Sequence, residues 1–309
     1  MEQISNLPPT QQQWSHSTIT IQQLRHALDD PNITSIEADI LMGAIKADTQ
    51  GAATAVECSP VPIMSHPPQY TSELSAKRFL TSTTGNPAFP NHPQLRKHLK
   101  LDFKDLESVK PTLKILQEIN ADPAGKTIFL NADLIAGPGR TSEDVVVIPE
   151  EFLSICLDFI PNNKKTNMAF SLGFKVDVVS IFGHTHEEIA TMADLVDKFD
   201  LLRKSAGVVL AINARLLSKH YAPFDAFLKQ YPSSQLLVWT GSGEPPISTQ
   251  KAAKIRQHFE KEGTITRIGF DCQVSRKISP VYYVSMNHSI CLNPTHCHIF
   301  NSIAHNIWV

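Results

Sequence analysis

Apolar, β-rich runs recur along the chain at intervals that suit strand–helix units. Runs at 36–40 (IEADI), 61–66 (VPIMSH), 98–104 (HLKLDFK), 127–135 (TIFLNADLI), 167–174 (NMAFSLGF), 207–216 (GVVLAINARL) and 235–240 (QLLVWT) predict strands. Their starts lie 25 to 40 residues apart, the spacing of βα units in a parallel sheet built by crossovers. A weak run ending near Trp14-Ser15-His16 completes a set of eight. Eight such units predict a (β/α)8 TIM barrel. An open doubly wound sheet is the alternative, since periodicity does not register closure. Between the strands, Thr20 with Gln23 and Thr185 with Glu188 have the capping-box spacing. Pro111 suits a first helical position. Ser248 is a candidate cap for the helix that Gly263 would stop. The barrel is expected over residues 14–270, with an N-terminal extension at 1–13 and a C-terminal extension at 271–309.

Strands of an all-parallel sheet should read as nearly continuous apolar runs, because both faces are covered. Four of these strands break that rule in one way: Ile36-Glu37-Ala38-Asp39, Leu101-Asp102-Phe103-Lys104, Leu130-Asn131-Ala132-Asp133 and Ile212-Asn213-Ala214-Arg215. Alternation at period two puts each polar pair on one face, which in a barrel is the interior. The pairs come late in their strands and are therefore expected at the C-terminal mouth, where such barrels place active sites. Mutual pairing, Asp102 with Lys104 and Asp133 with Arg215, is the structural explanation. The excess of carboxylates (Glu37, Asp39, Asp102, Asp133) over Lys104 and Arg215 favours a bound cation instead, of the hard, oxygen-seeking kind such as Mg²⁺ or Ca²⁺. His16 and His66 end strands that face the same mouth. A cation flanked by two histidines and a lysine suits phosphate chemistry, one imidazole removing a proton and the other protonating the leaving oxygen.

Composition narrows the partners. The chain has 309 residues, 42% hydrophobic and 19% charged, with a net charge of -2. That is enough apolar material for a large core, and too little clustered positive charge for a broad nucleic-acid surface. A small anionic ligand held inside one pocket fits this balance. No apolar run approaches the roughly 18 residues of a membrane span. The five cysteines are an odd, scattered set, and the first residues carry no legible secretory signal, so a cytoplasmic location is expected, with secretion left open.

Trp14-Ser15-His16, Ile36-Glu37-Ala38-Asp39, Ser65-His66-Pro67-Pro68, Lys100-Leu101-Asp102-Phe103-Lys104 and Asn131-Ala132-Asp133 together resemble the menorin family. Gly137-Pro138, Ser171-Leu172-Gly173-Phe174 and the stretch around Asn213-Ala214-Arg215 fit as well, in order, from about residue 14 to 245. Menorins are in turn similar to glycerophosphodiester phosphodiesterases and other phospholipase-C-like phosphodiesterases, which are TIM barrels. The resemblance implies that His16 and His66 form the catalytic pair, that Glu37, Asp39 and Asp102 bind a divalent metal, and that Lys104 contacts phosphate. Asn131, Asp133, Asn213, Arg215 and the mouth-loop Trp239 are expected to meet substrate. The implied activity is metal-dependent hydrolysis of a glycerophosphodiester or a phospholipid-type diester. The enzymes carry His-Arg-Gly after strand one and His-Asp after strand three, whereas here His16 precedes Ser17-Thr18 and His66 precedes Pro67. Those departures motivate a second expectation, a catalytically weak or inactive barrel that binds a ligand or a protein partner.

Two weaker signals point elsewhere. The His-x-His of Gly183-His184-Thr185-His186 occurs in metal sites of other barrels, but here it opens a predicted helix. In the tail, His288, Cys291, His296, Cys297 and His298 match no usual zinc spacing.

Overall fold

The computed structural model describes residues 12–46, 59–85, 94–120, 123–160, 167–241 and 243–275. Cys58 and the tail's histidines and cysteines lie outside the described residues, as do most of the two expected extensions. In chain order the strands are β1 (Trp14–Ser15), β2 (Ser35–Ile45), β3 (Val61–Met64), β4 (Thr71–Ser72), β5 (His98–Phe103), β6 (Ile128–Ala136), β7 (Met168–Lys175), β8 (Val208–Asn213), β9 (Gln235–Trp239), β10 (Ile247–Ser248), β11 (Ile268–Asp271) and β12 (Val274–Ser275). The helices are α1 (Ile21–Asp29), α2 (Ala76–Thr83), α3 (Val109–Ile119), α4 (Pro149–Phe159), α5 (His186–Lys198), α6 (Leu201–Lys204), α7 (Ala214–Leu217), α8 (Ala222–Gln230) and α9 (Thr249–Lys261).

Eight strands pair side by side, all parallel, in the order β1-β2-β5-β6-β7-β8-β9-β11. The result is a nearly closed (β/α)8 barrel. Its first and last strands are joined across the seam by a side-chain bond, His16 Nδ1 to Asp271 Oδ2 at 2.7 Å. The apolar residues alternate outward under the helices. Ile36, Ala38, Leu99, Leu101, Leu130, Leu210 and Leu236 are fully buried there against Phe79, Phe152, Phe224 and Phe259. Burial of each such side chain contributes on the order of 2 kcal/mol.

The expected helix ends are present. Thr20 and Thr185 close reciprocal capping boxes with Gln23 and Glu188, Ser248 accepts from the Lys251 amide, and Gly263 takes a left-handed φ of 71° after α9. Pro111 is not the first residue of its helix: α3 begins at Val109.

Three strand assignments are corrected. The run at 61–66 is not a barrel strand. β2 extends past the barrel wall, and β3 covers its protruding end in antiparallel register, Ile40 opposite Met64 and Gly43 opposite Val61. The barrel strand missed from the sequence is β11, only four residues long and interrupted by Gly269. Finally, the run at 207–216 is a strand only to Asn213. The Asn213 side chain then accepts from the Arg215 amide and starts α7, which takes Arg215 out of the period-two alternation. Among the described residues, no helix is long and apolar enough to cross a membrane.

Candidate metal and phosphate site at the barrel mouth

Register puts the polar residues in rows. Along the wall Glu37 stands beside Lys100, and Asp39, Asp102, Asn131 and Ser171 follow one another on adjacent strands. One level higher Asp133 lies opposite Gly173. That glycine is required by space, since a Cβ there would sit 2.4 Å from Asp133 Oδ1. All of these face the barrel interior, and all but Ser171 and Gly173 line a cleft of about 750 Å³ whose lining also includes His16, His66 and Lys104.

A donor atom from each of Glu37, Asp39 and Asp102 lies within 4.8 Å of the others. Three carboxylate oxygens that close repel strongly in a low dielectric unless a cation intervenes. Lys104 supplies one positive charge, its Nζ 2.9 Å from Asp39 Oδ1 and 2.8 Å from Asp102 Oδ2. The other Asp102 oxygen accepts from Asn131 Nδ2 at 2.7 Å, and Asn131 is in turn held by Ser171 Oγ at 2.6 Å. Glu37 accepts the Ser17 amide at 2.5 Å, an approach made possible by the left-handed Ser17 backbone (φ 53°). Lys100, 4% exposed, sits lower in the interior and adds a second cation.

Burial works against every charge here, and the neighbours decide the outcome. Burial raises the Glu37 carboxyl, the His16 charge lowers it, Asp39 raises it further, and the net is upward. Asp102 ends below its ordinary value because Lys104 and Lys100 outweigh desolvation. Lys104 is correspondingly raised, Asp102 and Asp39 overcoming its burial. Asp133 is pushed up to about 6, chiefly by desolvation. His16 is also raised, to about 9: burial opposes its charge, but Asp271 and then Glu37 prevail. Among the residues lining the cleft, six carboxylates (Glu37, Asp39, Asp102, Asp105, Asp133, Asp144) thus meet four cationic groups (His16, Lys100, Lys104, Lys175), a formal excess of two negative charges before Asp271 is added. The donor set is all oxygen, which fits a hard divalent ion of the Mg²⁺ or Ca²⁺ type.

His66 also lines the cleft. Its Nδ1 is 2.7 Å from the Pro67 carbonyl, which can only accept, so Nδ1 carries the proton and Nε2 keeps the lone pair in the neutral ring. Trp239, at the end of β9, also lines the cleft, as do Asn131 and Asp133. Asn213 and Arg215 are used differently. Asn213 Nδ2 binds Glu244 Oε1 at 2.9 Å, Arg215 Nε binds Glu244 Oε2 at 3.0 Å, and an Arg215 guanidinium nitrogen also donates to the Pro245 carbonyl. Neither residue is part of the cleft lining, and of the two internal ion pairs expected from the sequence, Asp102–Lys104 is present whereas Arg215 pairs with Glu244 rather than Asp133.

Sequence reasoning missed Asp271, Lys100 and Ser17. Lys100 was legible, since it shares the period-two face of Asp102 and Lys104. Asp271 was not, because its strand was unrecognised. The His-x-His segment does open α5, and His184 is fully buried, packed edge-on against Phe174 and Phe224 with Nδ1 2.9 Å from Glu188.

Fold and site together define a parallel α/β barrel with an acidic, histidine-flanked pocket at its C-terminal mouth. A sequence profile of the Menorin N-terminal domain matches residues 10–271, and the chain belongs to the menorin family. It is 24% identical over 249 residues to human Protein FAM151B, covering 81% of this chain and 79% of that one.

Proposed function

We propose that this barrel is a divalent-cation-dependent phosphodiester hydrolase. The observation that carries the reading is the convergence of Glu37, Asp39 and Asp102 in one cleft with His16, His66 and Lys104. A bound cation would neutralise the nonbridging oxygens of the diester. His66 Nε2 takes the proton from the attacking hydroxyl or water. As the new phosphorus–oxygen bond forms and the bond to the departing alkoxide breaks, His16, kept protonated by Asp271, gives its proton to that oxygen. Lys104, two residues from Asp102 on the same face, now bonds the Asp39 and Asp102 carboxylates; with a cation held by those carboxylates its ammonium would be free to bond phosphate oxygens.

The test is turnover of a generic phosphodiester with Mg²⁺ or Ca²⁺ present. His66→Ala should lower it at least ~100-fold, as expected for loss of general acid–base catalysis. A crystal soaked in either ion should show density bridging the three carboxylates at about 2.0–2.6 Å. Absent turnover over a broad diester panel would overturn the enzymatic reading. A second reading, a barrel that binds a phosphorylated ligand without cleaving it, is favoured by one observation: Ser17 uses its backbone on Glu37 and presents no cationic side chain to a phosphate.

A further inference from the structure

Lys100 is a buried cation that the hydrolytic steps leave unused. It is 4% exposed, on the inward face of β5 between Glu37 of β2 and Phe129 of β6. Its ammonium makes no hydrogen bond or ion pair among the described residues. Glu37, its neighbour in register, is engaged by the Ser17 amide instead. Lys104, further along the same face, is by contrast held by both Asp39 and Asp102. A buried ammonium without an acceptor is costly, and a ligand oxygen would remove that cost. Lys100 lines the cleft, and its charge acts on His16, Glu37, Asp102 and Asp133. Its donors thus belong to the charged centre rather than to the apolar base.

Charge says what such an ammonium would take. Glu37, Asp39 and Asp102 carry three negative charges, and Lys100 and Lys104 return two. The rest of the charged lining is matched elsewhere. His16 pairs with Asp271 at 2.7 Å and Asp144 with Arg140 at 3.6 Å. Asp105 accepts the amides of Met42 and Ser108, and Asp133, one level higher, is balanced in formal charge by Lys175. A dication on the three carboxylates would therefore leave the centre one positive charge in excess and release Lys104 from its partners. Two ammonium groups would then lack acceptors in a cleft of low dielectric. A monoanion with two free oxygens restores neutrality and satisfies both. A phosphodiester is such a group, its nonbridging oxygens being strong acceptors for lysine. A dianionic monoester overshoots by one charge.

We propose that Lys100 is a second anion-binding lysine of this cleft, and that cation and diester bind as a coupled pair, each weak alone. Ser17 brings no cationic side chain to the phosphate, and Lys100 supplies that charge from β5. The proposal rests on the metal and phosphate reading of this cleft given above, but not on turnover.

The test is calorimetry on the full chain with dimethylphosphinate, a monoanion with two free oxygens on phosphorus and no ester bond to cleave. In wild type it should bind at least about tenfold more tightly with saturating Mg²⁺ or Ca²⁺ than in EDTA, and should tighten the ion by the same factor, as linkage requires. Lys100→Met should weaken phosphinate at least about tenfold with the ion present, the loss expected for a hydrogen bond to a charged group. The same variant should bind the ion alone more tightly, since one repelling charge is gone. Lys100→Arg, which keeps the charge, should retain most of the coupling. Thermal unfolding in EDTA checks that Lys100→Met folds; if it does not, Lys100→Gln carries the same comparison. Equal phosphinate affinity with and without the ion overturns the coupling. A Lys100→Met variant with a tighter ion but unchanged phosphinate affinity shows a merely structural lysine and overturns its role. Coupled binding in wild type without turnover of any diester overturns the hydrolase reading alone. Diester turnover with a KM that Lys100→Met leaves unchanged overturns this proposal alone.

Discussion

At its base the barrel interior is closed by Trp14, Phe129, Ala169, Val209 and Leu237, with the Trp14 and Phe129 rings 6.1 Å apart. Nearer the mouth, the interior holds Glu37 and Asp39 on β2, Asp102 on β5 and Asn131 and Asp133 on β6, around an open cleft. Lys100 marks the boundary, lining both the cleft and a void of about 20 Å³ beneath it. The base has the composition of a core and no room for more than about one water. The mouth concentrates like charges that would cost several kcal/mol per ion if left unpaired. One inward face thus serves stability at one end and ligand chemistry at the other, and the difference lies in which positions of an identical alternation carry carboxylates.

The largest expected effect is at the base. Phe129→Ala should lower unfolding stability by about 3–5 kcal/mol, measured by denaturant titration, because it opens a cavity in a packed plug. Divalent-cation affinity, read by calorimetry, should be unchanged; a parallel loss would mean that the two ends are one cooperative unit. At the mouth, Lys104→Met leaves Asp39 and Asp102 without their cation, and should destabilise the metal-free protein by roughly 3 kcal/mol. Added Mg²⁺ or Ca²⁺ should restore most of that loss, whereas a failure of either ion to do so would argue that the carboxylates exist for Lys104 alone.

Two histidines extend the contrast into pH. His98, at the start of β5 near the base, accepts the Thr127 amide on Nδ1 at 2.9 Å, and desolvation followed by Lys126 lowers it to about 4. Its folded value lies below the unfolded one of about 6.5, so the unfolded chain binds the extra proton between them. Its contribution is present above pH 6.5 and lost as pH falls towards about 4, up to about 3 kcal/mol in all. His98→Asn, which keeps an acceptor for Thr127 without titrating, should flatten that acid limb. His16 has the opposite sign. Raised to about 9, it stabilises fully below pH 6.5 and loses that contribution as pH rises through 9. An alkaline limb of the unfolding curve that survives Asp271→Asn would break the assignment. Smallest of all, Val179→Ser on the loop after β7 should shift stability by no more than about 0.5 kcal/mol, because the side chain is 78% exposed among the described residues.

Much of the mouth was legible before any coordinates. A parallel strand should be apolar on both faces, so pairs such as Glu37 with Asp39 and Asp102 with Lys104 could only mean an interior with a use for charge. Their period-two spacing placed them on one face, and their late position placed them at one end. Alternation misled at Asn213, because a residue that can cap a helix ended the strand there and turned Arg215 towards Glu244. Local pattern also could not say that Val61–Met64 merely braces the overhang of β2, nor that four residues around Gly269 close the ring.

The sequence by itself determined the parallel α/β class and the inward carboxylates, because these follow from strand periodicity and from residue chemistry; closure of the ring by β11 and the route by which His66 reaches the cleft, after β3, did not. Only the tertiary structure decided which charges meet. Asp271 is 255 residues from His16 and reaches it across the barrel seam, Ser17 turns its amide onto Glu37, and Lys104 bridges Asp39 to Asp102. Such contacts depend on sheet register and closure, which bring distant residues to within a few ångströms without leaving any local trace in the chain.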